Sequence, residues 1–255
     1  MLLINPYRFA APRFISNDAD VVSYVLAVES ADGQQLESGV ISAYDSFITG
    51  CKTDGIWTAI KASCILAGAR TLSGALVPLV GAAPTNSNFV TGDYNRETGL
   101  LGNGSTKFIN ANRNHTADNP EQHLFAYITS AHSGASGRYT INSGANSYLF
   151  NTATTAYHRA YGASSTQSAT YAQTVGGYAV SRFNSTQVSR LLNNVVSTGS
   201  AAYQTPTSGV ISIFGPSGIY CANGRISFYS IGANLNLSLL NTRVSTLMTD
   251  LAAAI

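Results

Sequence analysis

Leu124-Phe125-Ala126-Tyr127-Ile128 is the stretch that decides the fold. Leu124, Ala126 and Ile128 alternate with Phe125 and Tyr127, the period of two that places successive side chains on opposite faces of a β-strand. Tyr178, Val180 and Arg182 repeat the pattern. Around these two runs, from about residue 84 onward, short β-branched or aromatic segments are separated by Gly, Asn and Ser turns. Strands are predicted at Lys107 to Asn110, Arg138 to Asn142, Tyr148 to Asn151, Tyr157 to Tyr161, Val188 to Leu192, Val210 to Phe214 and Arg225 to Ser230. Asn193-Asn194 reads as a tight turn, because Asn tolerates positive φ. Many short strands at this spacing predict an antiparallel β-sandwich over residues 63–234 rather than a parallel α/β sheet.

The flanks read differently. Residues 18–62 are predicted to be a helical segment. Val21, Val25 and Val28 share one helix face that Asn17 or Asp18 can cap, with a stop at Asp32-Gly33. Leu36, Val40, Tyr44, Phe47 and Cys51 form a second apolar stripe that ends at Asp54-Gly55, and Ile56, Trp57 and Ile60 suggest a third short helical piece. Trp57 fits core packing better than a ligand platform. Ser63-Cys64-Ile65-Leu66 reads as the first strand. Residues 235–255 are predicted to be a helix capped by Asn236, with Leu237, Leu240, Val244, Leu247 and Leu251 along one side, packing on the sandwich. Residues 1–17 carry Pro6 and Pro12 among Tyr7, Phe9 and Phe14, which suits an extended arm that docks on a neighbouring subunit or lies on its own domain.

Composition narrows the function classes. Of 255 residues 45% are hydrophobic, enough for a sizeable core, while only 10% are charged, against about a quarter in average domains. The surface must therefore be Ser, Thr, Asn, Gly and Tyr, which suits a permanent assembly or contact with neutral sugars and proteins. The net charge is +2 and no Lys/Arg cluster occurs, which disfavours nucleic acid as a partner. Cys51, Cys64 and Cys221 sit among apolar residues without metal-ligand spacing and are expected to be buried reduced thiols, a sign of assembly in a reducing cytosol. Met1 to Pro6 is too short an apolar run for a secretion signal, and no run is long enough for a membrane span, so neither export nor membrane insertion is expected.

Catalytic residues are not expected. Glycan cleavage needs two carboxylates a few ångströms apart, yet only Asp93, Glu97, Asp118 and Glu121 fall in the β-region. A salt bridge from Asp93 or Glu97 to Arg96 is the expected role of that first pair. Neither His115, His123, His132 nor His158 adjoins a nucleophile elbow, and Ser136 lacks the spacing of one. His123 and His158 are read as satisfied sheet residues. No acidic cluster suits calcium, and Gly102-Asn103-Gly104-Ser105 lacks the residues of a phosphate loop, so no metal and no cofactor is expected. What is left is contact chemistry. Tyr94, Asn95, Asn112, Arg113, Asn114 and His115, with Tyr157, Tyr161, Tyr171 and Tyr203, place rings beside amides, the groups that stack on sugars or anchor protein interfaces.

Two stretches carry a resemblance: Phe47-Ile48-Thr49-Gly50-Cys51-Lys52-Thr53-Asp54-Gly55-Ile56-Trp57-Thr58-Ala59-Ile60-Lys61 and Gly224-Arg225-Ile226-Ser227-Phe228-Tyr229-Ser230-Ile231-Gly232. With Gly92 to Asn95 and Gly99 to Lys107 between them, they resemble tailed-phage virion proteins that carry a LamG-type, concanavalin A-like lectin/glucanase jelly roll. The resemblance implies the sandwich fold and a virion context, and it carries over no catalytic motif. It implies a non-enzymatic bacteriophage structural protein, a tail, fibre or capsid decoration part assembled in the host cytoplasm. Its partners would be other virion proteins and copies of itself, a trimer by analogy with phage appendages. The alternative is a carbohydrate-binding adhesin for host attachment through surface glycan, and a glycan hydrolase ranks third for want of the carboxylate pair.

Overall fold

The computed structural model describes residues 15–133, 137–144, 146–162, 167–170, 175–216, 218 and 220–255. Tyr7, Phe9 and Phe14 of the expected arm, Ser136 and Tyr171 lie outside them. In chain order the elements are α1 (Ala19–Asp32), α2 (Ser38–Thr53), β1 (Ile60–Ile65), α3 (Leu72–Ala75), β2 (Thr85–Ser87), β3 (Tyr94–Asn95), β4 (Gly99–Leu101) and β5 (Phe108–Asn114). There follow β6 (Gln122–Ser130), β7 (Arg138–Asn142), β8 (Tyr148–Asn151), β9 (Thr155–Arg159), β10 (Gln167–Thr170), β11 (Gly176–Arg182) and β12 (Gln187–Leu192). The chain closes with β13 (Val195–Ser200), β14 (Val210–Ile213), β15 (Arg225–Gly232) and α4 (Leu237–Ala254).

The strands form two antiparallel sheets. The first runs β13-β12-β11-β6-β15-β4-β3, with β1 also pairing β15, and the second runs β10-β9-β8-β7-β14-β5-β2. Helices cover the outer face of the first sheet, so the molecule has three layers: helices, first sheet, second sheet. The period-two pattern explains how one strand serves two cores. Leu124, Ala126 and Ile128 of β6 join Tyr178, Val180, Ile213 and Tyr229 between the sheets. Phe125 of the same strand turns the other way, with Phe228 of β15 and Leu191 of β12, to meet Val25, Phe47, Leu240 and Leu247 of the helices. The predicted antiparallel sandwich, with helices before and after it, is the fold observed.

Local chemistry sets the element ends. The Asp18 carboxylate accepts the amides of Asp20 and Val21 and caps α1, while Gly33 stops it in the left-handed region. The Asn236 side chain caps α4 by accepting the amides of Ser238 and Leu239. Asn193 and Asn194 both take positive φ, 53° and 61°, and close the β12–β13 hairpin as expected. The third helical piece is a single 3-10 turn, Trp57–Ala59. Trp57 packs against the helix-layer core, with the Lys52 ammonium 5.6 Å from its ring centre. Helices α2 and α4 approach closely because α2 presents glycines: a Cβ at Gly39 would stand 2.8 Å from the Ala254 Cβ. Arg243 of α4 then donates to both oxygens of Asp54 at 2.7 and 2.9 Å, tying the two helices end to end.

One expected ion pair is corrected. Asp93 does not pair with Arg96. The 3-10 turn ahead of β3 aims Asp93 back to accept the Val90 amide at 2.8 Å, and its salt bridge goes to Lys107. Arg96 instead faces the helix layer, where it donates to Glu37 at 2.8 and 3.1 Å and to the carbonyls of Gly68 and Ala69. Cys51, Cys64 and Cys221 are buried and free of disulfides, and burial pushes the thiols of Cys51 and Cys64 up to about 12.

Candidate functional site

No helix covers the outer face of the second sheet among the described residues, and its composition follows from the pleat. On β7, β8 and β9 the inward positions Ile141, Leu149, Ala156 and His158 are buried. Tyr139, Asn142, Tyr148, Phe150, Tyr157 and Arg159 are half-buried and face outward. The register sorts these into two rows. Tyr139 lies opposite Phe150 and Phe150 opposite Tyr157. In the second row Asn142 lies opposite Tyr148 and Tyr148 opposite Arg159. Ser212, opposite both Asn142 and Asn110, continues that row as a line of hydroxyl and amide groups across β14 and β5.

The rings form one network. Tyr139 and Phe150 have centroids 4.6 Å apart, Phe150 and Tyr157 5.9 Å, and Tyr139 and Tyr148 5.7 Å. Tyr220, 52% exposed, leans over the group at 6.2 Å from Phe150 and 6.5 Å from Tyr139. The Arg159 guanidinium lies 5.8 Å from the Tyr148 ring centre and donates to the Gly162 carbonyl at 2.7 and 3.0 Å. A shallow depression of about 490 Å³ opens here, lined by Tyr139, Asn142, Tyr148, Arg159, Pro216 and Tyr220. Flat apolar ring faces bordered by amide and hydroxyl groups can stack on the apolar face of a sugar and hydrogen-bond its hydroxyls. Burial raises the Tyr139 phenol above its ordinary value, so it stays protonated and can both donate and accept at neutral pH.

The residues singled out from sequence are distributed over four places. Tyr157 stands in the aromatic network. Arg113, Asn114, His115, Tyr161 and Tyr203 are brought together at one end of the sandwich, where they hold loops. The Tyr161 hydroxyl donates to the His115 carbonyl at 2.5 Å, the His115 ring lies 5.1 Å from that of Tyr161, and Tyr203 lies 6.4 Å from it. His115 and Tyr161 are fully enclosed, Arg113 pairs with Asp118, and Asn114 donates to Ser208. Tyr94 donates to the Ala69 carbonyl at 2.6 Å against the helix layer, and Asn95 caps the turn to Thr98. Asn112, at φ 52°, anchors the Ala83 carbonyl. Sequence reasoning missed Tyr139, Tyr148, Phe150 and Tyr220. The signal for the first three was present: an aromatic at the outward parity of adjacent strands.

Two histidines of the β-region are engaged in the interior. His123 lies between the Ala233 carbonyl at 2.6 Å and the Ser230 hydroxyl at 2.8 Å, and burial lowers its pKa to about 4. His132 contacts the Thr140 hydroxyl and accepts from the Gly224 amide, and burial likewise lowers it to about 4. Among the described residues no three His, Cys, Asp or Glu side chains cluster as metal ligands. No helix among them is long and apolar enough to cross a membrane.

Comparison with solved structures places the fold. The binding domain of botulinum neurotoxin serotype D superposes with a TM-score of 0.50 at 11% identity, over 74% of this chain and 51% of that chain. A point mutant of HCR/D gives 0.50 at 10% identity, over 72% and 51%. The binding domain of botulinum neurotoxin DC, solved in complex with SialylT, gives 0.47 at 13% identity, over 76% and 52%. At such identities the likeness shows the fold alone, a β-sandwich. This chain spans about half the length of the structures it matches. No protein-family model matches the sequence, and no curated protein matches it.

Proposed function

We propose that this protein is a non-enzymatic carbohydrate-binding module whose ligand lies on the outer face of the second sheet. The observation that carries the reading is the five-ring network of Tyr139, Tyr148, Phe150, Tyr157 and Tyr220 on a solvent-facing sheet surface, beside a row of amide and hydroxyl groups. Half-exposed rings gathered on one sheet face beside amide and hydroxyl groups form the kind of surface that a sugar stacks on. Only 10% of the chain is charged, which suits a neutral, hydroxyl-rich ligand. That the serotype D neighbour is a binding domain supports a binding role rather than catalysis. The test is a glycan array probed with the full chain, followed by titration of the strongest sugar against Tyr148→Ala and Tyr220→Ala. Binding that falls in both variants while the fold is retained supports the site. An array with no sugar above background refutes the reading.

The resemblance of Phe47 to Lys61 and Gly224 to Gly232 to tailed-phage virion proteins, together with the charge-poor surface, supports a finer reading: an oligomeric tail, fibre or capsid appendage that presents this face to host glycan. Quantitative mass spectrometry of purified particles tests it. Copies in a fixed ratio to the capsid protein support it, and absence from particles overturns it.

A further inference from the structure

Arg182 is the largest fully enclosed side chain described, at 0% exposure. The β6–β11 register sets it directly opposite Gln122, also at 0%. Residues directly opposite on neighbouring strands share a face, with Cβ atoms about 5 Å apart. That face is the one turned between the sheets, since Leu124 and Val180, two residues along, belong to the inter-sheet core. The guanidinium donates from Nε to the Ala160 carbonyl at 2.5 Å and from Nη1 to the Asn184 carbonyl at 2.9 Å. Its Nη2 has no partner, and neither do Nε2 and Oε1 of Gln122. Among the described residues no carboxylate pairs with Arg182. Of the two carboxylates near this end of the sandwich, Asp118 is taken by Arg113 through Nε and Nη2, and Glu121, next to Gln122, makes no ion pair with Arg182.

A guanidinium keeps its charge at every accessible pH. Enclosing one without a counter-charge carries a large desolvation cost that carbonyl dipoles and the Tyr203 ring, 6.0 Å from the Arg182 Cζ, offset only in part. We infer that Arg182 Nη2 and Gln122 Nε2 together hold a small inorganic anion of the halide class inside the sandwich. Two N–H donors beside a net positive charge match a monatomic anion, with the Gln122 amide turned so that Nε2 faces the ion and Oε1 points away from it. A water molecule satisfies the hydrogen bonds but leaves the charge unbalanced, and a sugar or other large ligand cannot enter so enclosed a place. His115 is excluded from the site on hydrogen-bond grounds. Its Nδ1 faces the Thr207 carbonyl and so carries the proton, which leaves a lone pair on Nε2 that repels an anion. The bound ion would join β6 and β11 of the first sheet to the loop at Ala160 that follows β9 of the second. The inference stands apart from the glycan reading, because it concerns an interior site rather than the outer aromatic face.

The experiment uses the full chain and bromide as the probe. Crystals grown in sodium bromide are measured at the bromine absorption edge, and thermal unfolding is followed in potassium bromide against potassium gluconate at equal ionic strength. The expected result is an anomalous peak between Arg182 Nη2 and Gln122 Nε2, with a melting temperature that rises by about 4 °C per tenfold bromide once the site is saturating. Gln122→Leu should reduce that bromide-dependent increment, which separates site binding from general salt effects. Full density at the site without anomalous signal, identifying water, overturns the inference. So does an increment that is the same in wild type and Gln122→Leu.

Discussion

Phe228→Ala removes the ring that joins the helix layer to the first sheet. Phe228 is fully buried on β15, edge-on to Phe47 of α2 at 5.4 Å and to Phe125 of β6 at 5.9 Å. Truncating a buried Phe costs about 3–5 kcal/mol from lost transfer energy and the cavity left behind. Each edge-to-face pair contributes a further 0.5–1.5 kcal/mol or so beyond its buried area. With two such pairs broken, the loss falls at the upper end, about 5 kcal/mol. For a domain of this size that is a fall in melting temperature of roughly 10–20 °C. Urea unfolding followed by far-ultraviolet circular dichroism reads the change directly. The midpoint should fall while the denaturant slope stays the same, because both layers unfold as one cooperative unit. A loss below about 1.5 kcal/mol, or helices melting in a separate earlier transition, would refute the claim that this face of the first sheet is sealed by the helices.

Other outcomes follow from single features. Tyr220→Ala takes away a half-exposed ring, so stability should change by less than about 1 kcal/mol, while affinity for an array-identified sugar should fall about five- to tenfold by calorimetric titration. Unchanged affinity would remove Tyr220 from the site. Gly99→Ala should be severely destabilising, because φ is 86° and the added Cβ would stand 2.2 Å from the Ile226 carbonyl oxygen of β15. A melting temperature within 2 °C or so of wild type would contradict that approach. Acid should destabilise the fold. Burial holds His123 and His132 at about 4, below the ordinary 6.5, so the unfolded chain takes up protons that the folded chain refuses. Stability therefore falls as pH drops from about 6.5 to about 4 and gains no further loss from these groups below that, which denaturation midpoints at half-unit pH steps would show. Asp18, Glu37 and Asp93, all lowered by their cationic partners, extend the loss into the carboxylate range.

Legibility differed between residues for physical reasons. The caps at Asp18 and Asn236 and the Asn193-Asn194 turn could be read directly, since each uses the side chain's own short-range hydrogen bonding or tolerance of positive φ. Strands β2, β3 and β4 were not legible, because two or three residues hold no period. The pairing of Asp93 with Lys107 and of Arg96 with Glu37 depends on how distant segments meet, and sequence neighbours suggested the wrong partner. Among the candidate contact residues, Tyr157 came to lie on an open face while Tyr161, four positions later, became fully enclosed at the sandwich end.

The period of two determined which side chains stand together: Leu124 with Ala126 and Ile128, Phe125 with Tyr127, Tyr148 with Phe150. It also determined that the strands are too short and too closely spaced for anything but an antiparallel sandwich. Which of each strand's two faces becomes dry was left to tertiary structure. Phe125 is buried because helices close over the first sheet, and Phe150 meets solvent because none of the described helices closes over the second. Alternation is a local property of the backbone, whereas burial depends on what the rest of the chain brings to each face.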